Sequence, residues 1–308
     1  MKKLFVFIFL FTEAVCIYAQ VTKFELVFGG DGNDYARSVI QTLDNGYAIT
    51  GSSTSSVSGS TDIFLLKLRE DGSWEWNKYY GGSNVDWGYS VKQTPDSGYI
   101  ISGYTNSYGN GGYDAYLVRT DQNGEILWTK TVGGMDWDFS YSLEITHDNG
   151  FIISGSTFQN GLENMFLVRL DSLGNIAWQK SYNGNEGGIF HCVRQCMDSG
   201  FIAVGEIQFA GNKNILLMKV NAVGDSLWSH SFGSSFEDVG YFVEQTFDTG
   251  YVLSGKFINQ VSGYYQIAVI KTDSLGNLMF QQAIDGDSAN DVSNCVHQYS
   301  DSGYIVSG

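Results

Sequence analysis

Five aspartates recur at one place in the chain's pattern: Asp34, Asp86, Asp138, Asp238 and Asp291 each stand twelve residues before a turn glycine, and Gly188 fills the same slot in one further unit. A ring of such carboxylates could hold calcium, which takes roughly six to eight oxygen ligands, and Asp285, Asp287 and Asp291 make the densest group. Recurrence once per unit equally suits an Asp that bonds the backbone amides of its own loop. Gly29 to Asp34 imitates a glycine-rich calcium motif, but that motif works by close stacking of copies and occurs here once. The four histidines, His147, His191, His230 and His297, fall in different units without metal-ligand spacing. His191 is the best placed of them for acid–base work, and a hydrogen-bonded core histidine is its plainer role. No Ser-His-Asp arrangement, phosphate loop or zinc signature is present. A hydrolase would need paired carboxylates, or a nucleophile with its base, gathered in one cleft.

The elements that must position these groups are read from a repeat. The string Asp-x-Gly-(Tyr/Phe)-x-x-x-Gly returns with its first glycine at Gly46, Gly98, Gly150, Gly200, Gly250 and Gly303, a spacing of 50 to 53 residues. Each period is therefore one supersecondary unit stacked on its neighbours. The second unit reads as four extended segments, Trp87 to Thr94, Gly98 to Thr105, Asp114 to Thr120 and Glu125 to Val132, with no helical periodicity. Glycine is expected to supply positive φ in the Asp-x-Gly turns, with the Asp bonding the backbone ahead of it. Asp-x-x-Gly turns such as Asp121 to Gly124 join the third and fourth strands. Apolar residues on adjacent strand positions require both sheet faces to be buried. Radial stacking of four-stranded antiparallel blades provides that, so the expected fold is an all-β propeller. A large aromatic at a fixed place in the fourth strand, Trp76, Trp128, Trp178, Trp228 and Phe280, is expected to pack between blades.

The first residues read as a secretory signal, residues 1–19, with Lys2 and Lys3 before the apolar run Leu4 to Phe11. That run is too short to span a bilayer, which needs about 20 residues, so no membrane insertion is expected after cleavage. The formal charge is -16; such a surface repels nucleic-acid phosphates and anionic lipid and leaves neutral sugars, proteins and cations as partners. Of the cysteines beyond the signal, Cys192 and Cys196 are about 13 Å apart if they share a strand, beyond disulfide reach. Cys192 and Cys295 take the slot of Ser38, Ser90 and Ser142, as small buried side chains would.

Residues 20–308 are expected to form about six blades, the last with only its first two strands. The segment Thr22 to Phe28 matches a fourth strand and is expected to complete that last blade, and the pattern stops within a strand, as a C-terminally truncated chain would. In an up-and-down blade the two tight turns share one face. The loops entering the first strand and the loops between second and third strands share the other. The latter are Ser52 to Thr61, Asn106 to Tyr113, Phe158 to Glu163, Gln208 to Lys213 and Asn259 to Tyr264. Their variability marks the ligand face, and Tyr108, Tyr113, Tyr264 and Tyr265 would offer contact area for sugars or proteins.

The strings Gly81 to Ser90 and Asp96 to Thr105 resemble the bacterial β-propeller repeat family, common in secreted Bacteroidetes proteins that carry a C-terminal type IX sorting domain. The resemblance covers residues 24–308 and implies the propeller fold and export. The string Arg119 to Trp128 is also similar to the tryptophan-docking motif of quinoprotein propellers, with a shorter Asp to Gly spacing and no threonine before the glycine. The expected function is a secreted or surface-displayed, monomeric, non-catalytic module that binds an extracellular glycan or protein, with no cofactor beyond a structural calcium. The alternatives are a propeller hydrolase acting on extracellular polysaccharide through the loop-face carboxylates, and a structural spacer of a longer surface protein.

Overall fold

The computed structural model describes residues 24–55, 60–159, 161–183, 186–233, 236–286 and 289–308, and every regular element among them is a strand. The expected signal segment, Asp287 and part of the first variable loop lie outside these residues. Blade 1 comprises β1 (Asp34–Gln41), β2 (Tyr47–Ser53), β3 (Asp62–Leu68) and β4 (Trp74–Tyr80); blade 2 comprises β5 (Asp86–Gln93), β6 (Tyr99–Thr105), β7 (Asp114–Thr120) and β8 (Ile126–Val132). Blade 3 holds β9 (Asp138–Ile145), β10 (Phe151–Gln159), β11 (Leu162–Leu170) and β12 (Ile176–Tyr182). Blade 4 holds β13 (Gly188–Gln195), β14 (Phe201–Phe209), β15 (Asn212–Val220) and β16 (Ser226–Phe232). Blade 5 holds β17 (Val239–Gln245), β18 (Tyr251–Ile258), β19 (Tyr265–Thr272) and β20 (Leu278–Ile284), and blade 6 only β21 (Cys295–Gln298) and β22 (Tyr304–Ser307). Each four-stranded sheet pairs antiparallel in sequence order.

The cores lie between blades. Ile100, Leu117 and Val132 of blade 2 are buried with Leu143, Ile153 and Val168 of blade 3, and the same sandwiching joins blades 4 and 5 through Val204, Leu217, Leu253 and Ile270. All seven residues of β7 are buried because both of its faces meet another sheet. The first strands converge on one axial cavity, lined from every blade. This is a β-propeller.

The fourth-strand aromatics bolt each blade to the next. Trp76 meets Tyr99 with ring centroids 5.9 Å apart, Trp128 meets Phe151 at 6.0 Å, Trp178 meets Phe201 at 5.9 Å and Trp228 meets Tyr251 at 5.8 Å. Phe24 takes the same post against blade 1, 5.4 Å from Tyr47 and over Gly72. Of the expected segment Thr22 to Phe28, the described residues 24–28 form no strand and do not pair with blade 6. Among the described residues blade 6 is the two-stranded sheet β21-β22, and the packing half of the expected role is what the segment shows.

Positive φ in the Asp-x-Gly turns falls on the residue before the glycine: Asn45, Ser97, Asn149, Ser199, Thr249 and Ser302, at 62° to 67°. The glycines serve close approach instead. A Cβ on Gly98 would collide with the carbonyl of Thr120 and the guanidinium of Arg119. Arg119 belongs to a buried cation that recurs on each third strand and reaches the turn aspartate. Lys67 pairs with Asp44 at 2.8 Å, Arg119 with Asp96 at 2.6 Å, Arg169 with Asp148 at 2.5 Å, Lys219 with Asp198 at 2.9 Å and Lys271 with Asp248 at 3.0 Å.

Burial, the largest influence on Asp44 and Asp96, pushes their carboxyls up. Bonds from Lys67 and Thr42, or from Thr94 and Arg119, together outweigh it and bring both down to about 2. Asp248 is lowered to about 2 by Thr246 first and by Lys271 against burial. An unfolded Asp titrates near 3.9, so the stability these pairs contribute is complete above pH ~4 and is lost as pH falls toward ~2. The urea midpoint should hold steady from neutrality to pH ~5 and fall steeply below ~4. A flat midpoint down to pH ~2 would contradict the assignment.

Candidate functional site

The first strand of each of blades 1 to 5 carries a β-bulge at one place. Pairing with the second strand jumps from Ala36 to Ser38, from Gly88 to Ser90, from Ser140 to Ser142, from Phe190 to Cys192 and from Gly240 to Phe242. The residues skipped by the ladder are Arg37, Tyr89, Tyr141, His191 and Tyr241. A bulge re-aims the side chain it carries, and all five line the axial cavity together with Asn294 of blade 6. The closing glycine of the repeat string makes the bulge possible. A Cβ at Gly103 would collide with the carbonyl of Trp87, as would one at Gly51 with Tyr35, at Gly155 with Phe139, at Gly205 with Ile189 and at Gly255 with Val239.

The cavity measures about 930 Å³. Tyr89 meets Tyr141 edge-on at 5.2 Å, and His191 sits between Tyr141 at 5.8 Å and Tyr241 at 5.2 Å. Burial pushes the Tyr141 phenol well up and that of Tyr241 up to about 12, so both remain hydrogen-bond donors at neutral pH. Toward the loop face the wall continues in aromatic rings from blades 1 to 3. Trp87 stacks on Tyr35 and on Tyr104, each at 6.1 Å, and Tyr104 abuts Phe139 at 4.9 Å. The guanidinium of Arg37 lies over Tyr89 at 5.3 Å and Trp87 at 5.6 Å. Toward the tight-turn face the lining becomes charged, with Lys92 and Arg194 2.9 and 3.6 Å from Glu144 and His297 2.8 Å from Glu244.

Blades 3 and 4 hold a second, smaller cavity on the loop face, about 190 Å³, lined by Glu163, Glu186, Gly188, Glu206 and Lys213 among others. Glu206 is 5% exposed. Its carboxylate lies 2.7 Å from Lys213 Nζ and 3.8 Å from His191 Nε2. Glu163 accepts a hydrogen bond from Ser156 Oγ at 2.7 Å. Burial raises the Glu163 carboxyl, and the Glu206 charge adds to the rise. Burial acts on Glu206 in the same sense, but His191 and Lys213 outweigh it and hold that carboxyl below the usual range. His191 thus joins the two cavities.

The recurrent aspartates accept hydrogen bonds from the backbone and hydroxyls of the loops around them. Asp86 accepts from the Gly82 amide at 2.8 Å, from Ser107 Oγ at 2.7 Å and from Thr105 Oγ1. Asp34 accepts from Gly30 N and Ser55 Oγ, both at 3.0 Å, Asp138 from Gly134 N at 2.9 Å, Asp238 from Ile258 N at 3.0 Å and Asp291 from Gly286 N at 2.8 Å. Asp285 reaches Asn259 Nδ2 at 3.5 Å, and Asp287 lies outside the described residues. Among the described residues no group of three or more His, Cys, Asp and Glu side chains is placed to hold a metal ion.

The four loop tyrosines differ from one another. Tyr108 is exposed but donates to the Gly81 carbonyl at 2.8 Å, and Tyr264 is exposed. Tyr113 is packed between Tyr104, Trp137 and Phe139 in the aromatic wall. Tyr265 lies under Lys256 Nζ at 3.8 Å and bonds Glu237 at 3.2 Å. Two of the expected variable loops are shorter than read, because β10 and β11, and β14 and β15, run on through Phe158 to Gln159, Leu162 to Glu163, Gln208 to Phe209 and Asn212 to Lys213. Cys192, Cys196 and Cys295 are free thiols.

No protein-family model matches the sequence, and no curated protein does. Among solved structures, an endo-arabinase from Bacteroides thetaiotaomicron VPI-5482 is similar over 83% of this chain and 95% of its own, at 12% identity and a TM-score of 0.42. A periplasmic gluconolactonase of Pseudomonas aeruginosa is similar over 83% and 98%, at 13% identity and 0.38. A eukaryotic initiation factor is similar over 83% of this chain and 56% of its own, at 9% identity and 0.42.

Proposed function

We infer that the protein is an exported recognition module that takes a neutral glycan into its axial cavity from the loop face. The axial ring carries the reading: one side chain per blade, re-aimed by a bulge in blades 1 to 5 and joined by Asn294 of blade 6, presents tyrosine, histidine, asparagine and arginine to a shared space in an otherwise repetitive frame. A scaffold needs no such variety, because the same packing would serve with one residue type in every blade. Rings with hydroxyl tips suit sugars, whose apolar faces stack on aromatics and whose hydroxyls exchange hydrogen bonds with phenols and amides. The formal charge of -16 disfavours polyanions as ligands. Export and surface display rest on the N-terminal signal pattern and on the resemblance of the repeat strings to secreted bacterial propellers.

Tyr141→Ala should weaken glycan binding at least ~10-fold, the loss of about one ring contact and one hydrogen bond. Tyr264→Ala, on an outer loop, should leave it within ~2-fold. Isothermal titration with oligosaccharides selected on a glycan array checks both. Equal losses, or loss only in the outer-loop variant, would move the site away from the axis.

A further inference from the structure

We propose that Glu163 and Glu206, in the loop-face cavity between blades 3 and 4, form the carboxylate pair of a glycosidase, with Lys213 positioning Glu206. The proposal rests on the glycan reading above and adds chemistry to it. Its first support is a break in the repeat. The clamp aspartate of the other blades is replaced by Gly188, where a Cβ would meet the Glu206 carbonyl and the Met165 side chain. Glu206 occupies a second-strand position that varies from blade to blade, with Ser52, Tyr104, Ser156 and Lys256 in the other four-stranded blades, and blade 4 places a buried acid there. The clamp aspartate is the rule that the other blades keep, and a departure from such a rule is where function is expected. The second support is the setting. Neither carboxylate closes a turn, both line one cavity, and His191 connects that cavity to the axial one.

Their surroundings push the two carboxyls in opposite directions, the sense in which the acid and the nucleophile of a glycosidase differ. Glu163 keeps its proton more readily and Glu206 sheds it. In the first step a Glu206 oxygen bonds to the anomeric carbon as the glycosidic C–O bond breaks; its electron pair stays on the leaving oxygen, which takes the Glu163 proton. In the second step Glu163 accepts a proton from water, whose oxygen displaces Glu206 from the anomeric carbon. Water is the only co-reactant, and no electrons are gained or lost.

The test uses the full chain with xylan, mannan, galactan and mixed-linkage β-glucan, scored for reducing-end release and for binding. Hydrolysis with retention of anomeric configuration by ¹H NMR is expected on at least one of them. Glu163→Gln should cut kcat at least ~100-fold, as removal of a general acid does, while binding and melting temperature stay near wild type; Glu206→Gln should abolish turnover. Lys213→Met should shift the acidic limb of the kcat/KM profile to higher pH, and Lys213→Arg should restore it. That limb belongs to Glu206, faced by His191 from β13, Lys213 from β15, Glu163 from β11 and Tyr141 and Tyr241 from β9 and β17, with Glu237 facing Lys213. Binding without hydrolysis would overturn the proposal and leave glycan recognition standing. Hydrolysis that survives in Glu163→Gln, or that inverts configuration, would overturn the assignment. Absence of both binding and hydrolysis would sink the glycan reading as well.

Discussion

Asp96→Ala should destabilise the protein by about 3 kcal/mol, and Arg119→Met by only about 1 kcal/mol, although the two substitutions break the same ion pair. The asymmetry follows from burial. Arg119 is 7% exposed and its guanidinium donates to both Asp96 oxygens and to the carbonyls of Tyr99 and Thr120. Removing Asp96 strands that charge between two blades, whereas removing Arg119 leaves a carboxylate that is mostly in water. The lower end of the usual range applies because Asp96 itself is exposed and water can approach from its side. Urea unfolding of both variants measures the difference. Equal costs, or a cost below ~1 kcal/mol for Asp96→Ala, would mean that the pair is solvated in solution.

Trp128→Ala should cost about 3 kcal/mol, near the foot of the range for large aromatics because the ring is only partly buried. Trp128 closes the seam between blades 2 and 3, edge-on to Phe151 and over Gly174. Trp128→Phe should keep most of the contact and cost about 1 kcal/mol. Since the seam carries little of the axial cavity's lining, glycan affinity of the folded fraction should be unchanged. A melting temperature equal to wild type for Trp128→Ala would show that the blades do not meet there.

The architecture was legible because a blade's needs are local and repeat with the chain. Turn chemistry, alternation of short apolar runs and the fourth-strand aromatic each return at fixed spacing, and the strand limits read for blade 2 differ from β5 to β8 by a residue at most at either end. Half of the turn logic was missed. The third-strand cation recurs as visibly as the turn aspartate, at Lys67, Arg119, Arg169, Lys219 and Lys271, yet charge inside an apolar strand reads as a surface residue until its partner across the turn is known. Gln93, Gln195, Gln245 and Gln298 show a similar device, each accepting a backbone N–H from the preceding blade's turn, at Leu43, His147, Met197 and Phe247. In the remaining seam Pro95 has no N–H to offer, and Ile145 stands where the glutamine would be. That pairing is visible only once the blades are set side by side.

The site was less legible for a related reason. Recurrence drew attention to Asp34, Asp86, Asp138 and Asp238, which the structure ties into their own loops. The informative signal was the opposite one, a position that changes within a segment that otherwise repeats: Arg37, Tyr89, Tyr141, His191, Tyr241 and Asn294. A bulge shifts side-chain alternation by one, so strand periodicity alone would have pointed these residues away from the axis. Glu163 and Glu206 come together only through the seam between blades 3 and 4.

The most direct test of the axial site is a crystal structure of the protein soaked with an oligosaccharide that it binds in solution. A sugar unit held against Tyr89, Tyr141 and Tyr241 and reached from the loop face is the predicted result. A sugar seated on the outer loops around Tyr264, with the axial cavity holding water alone, would contradict it.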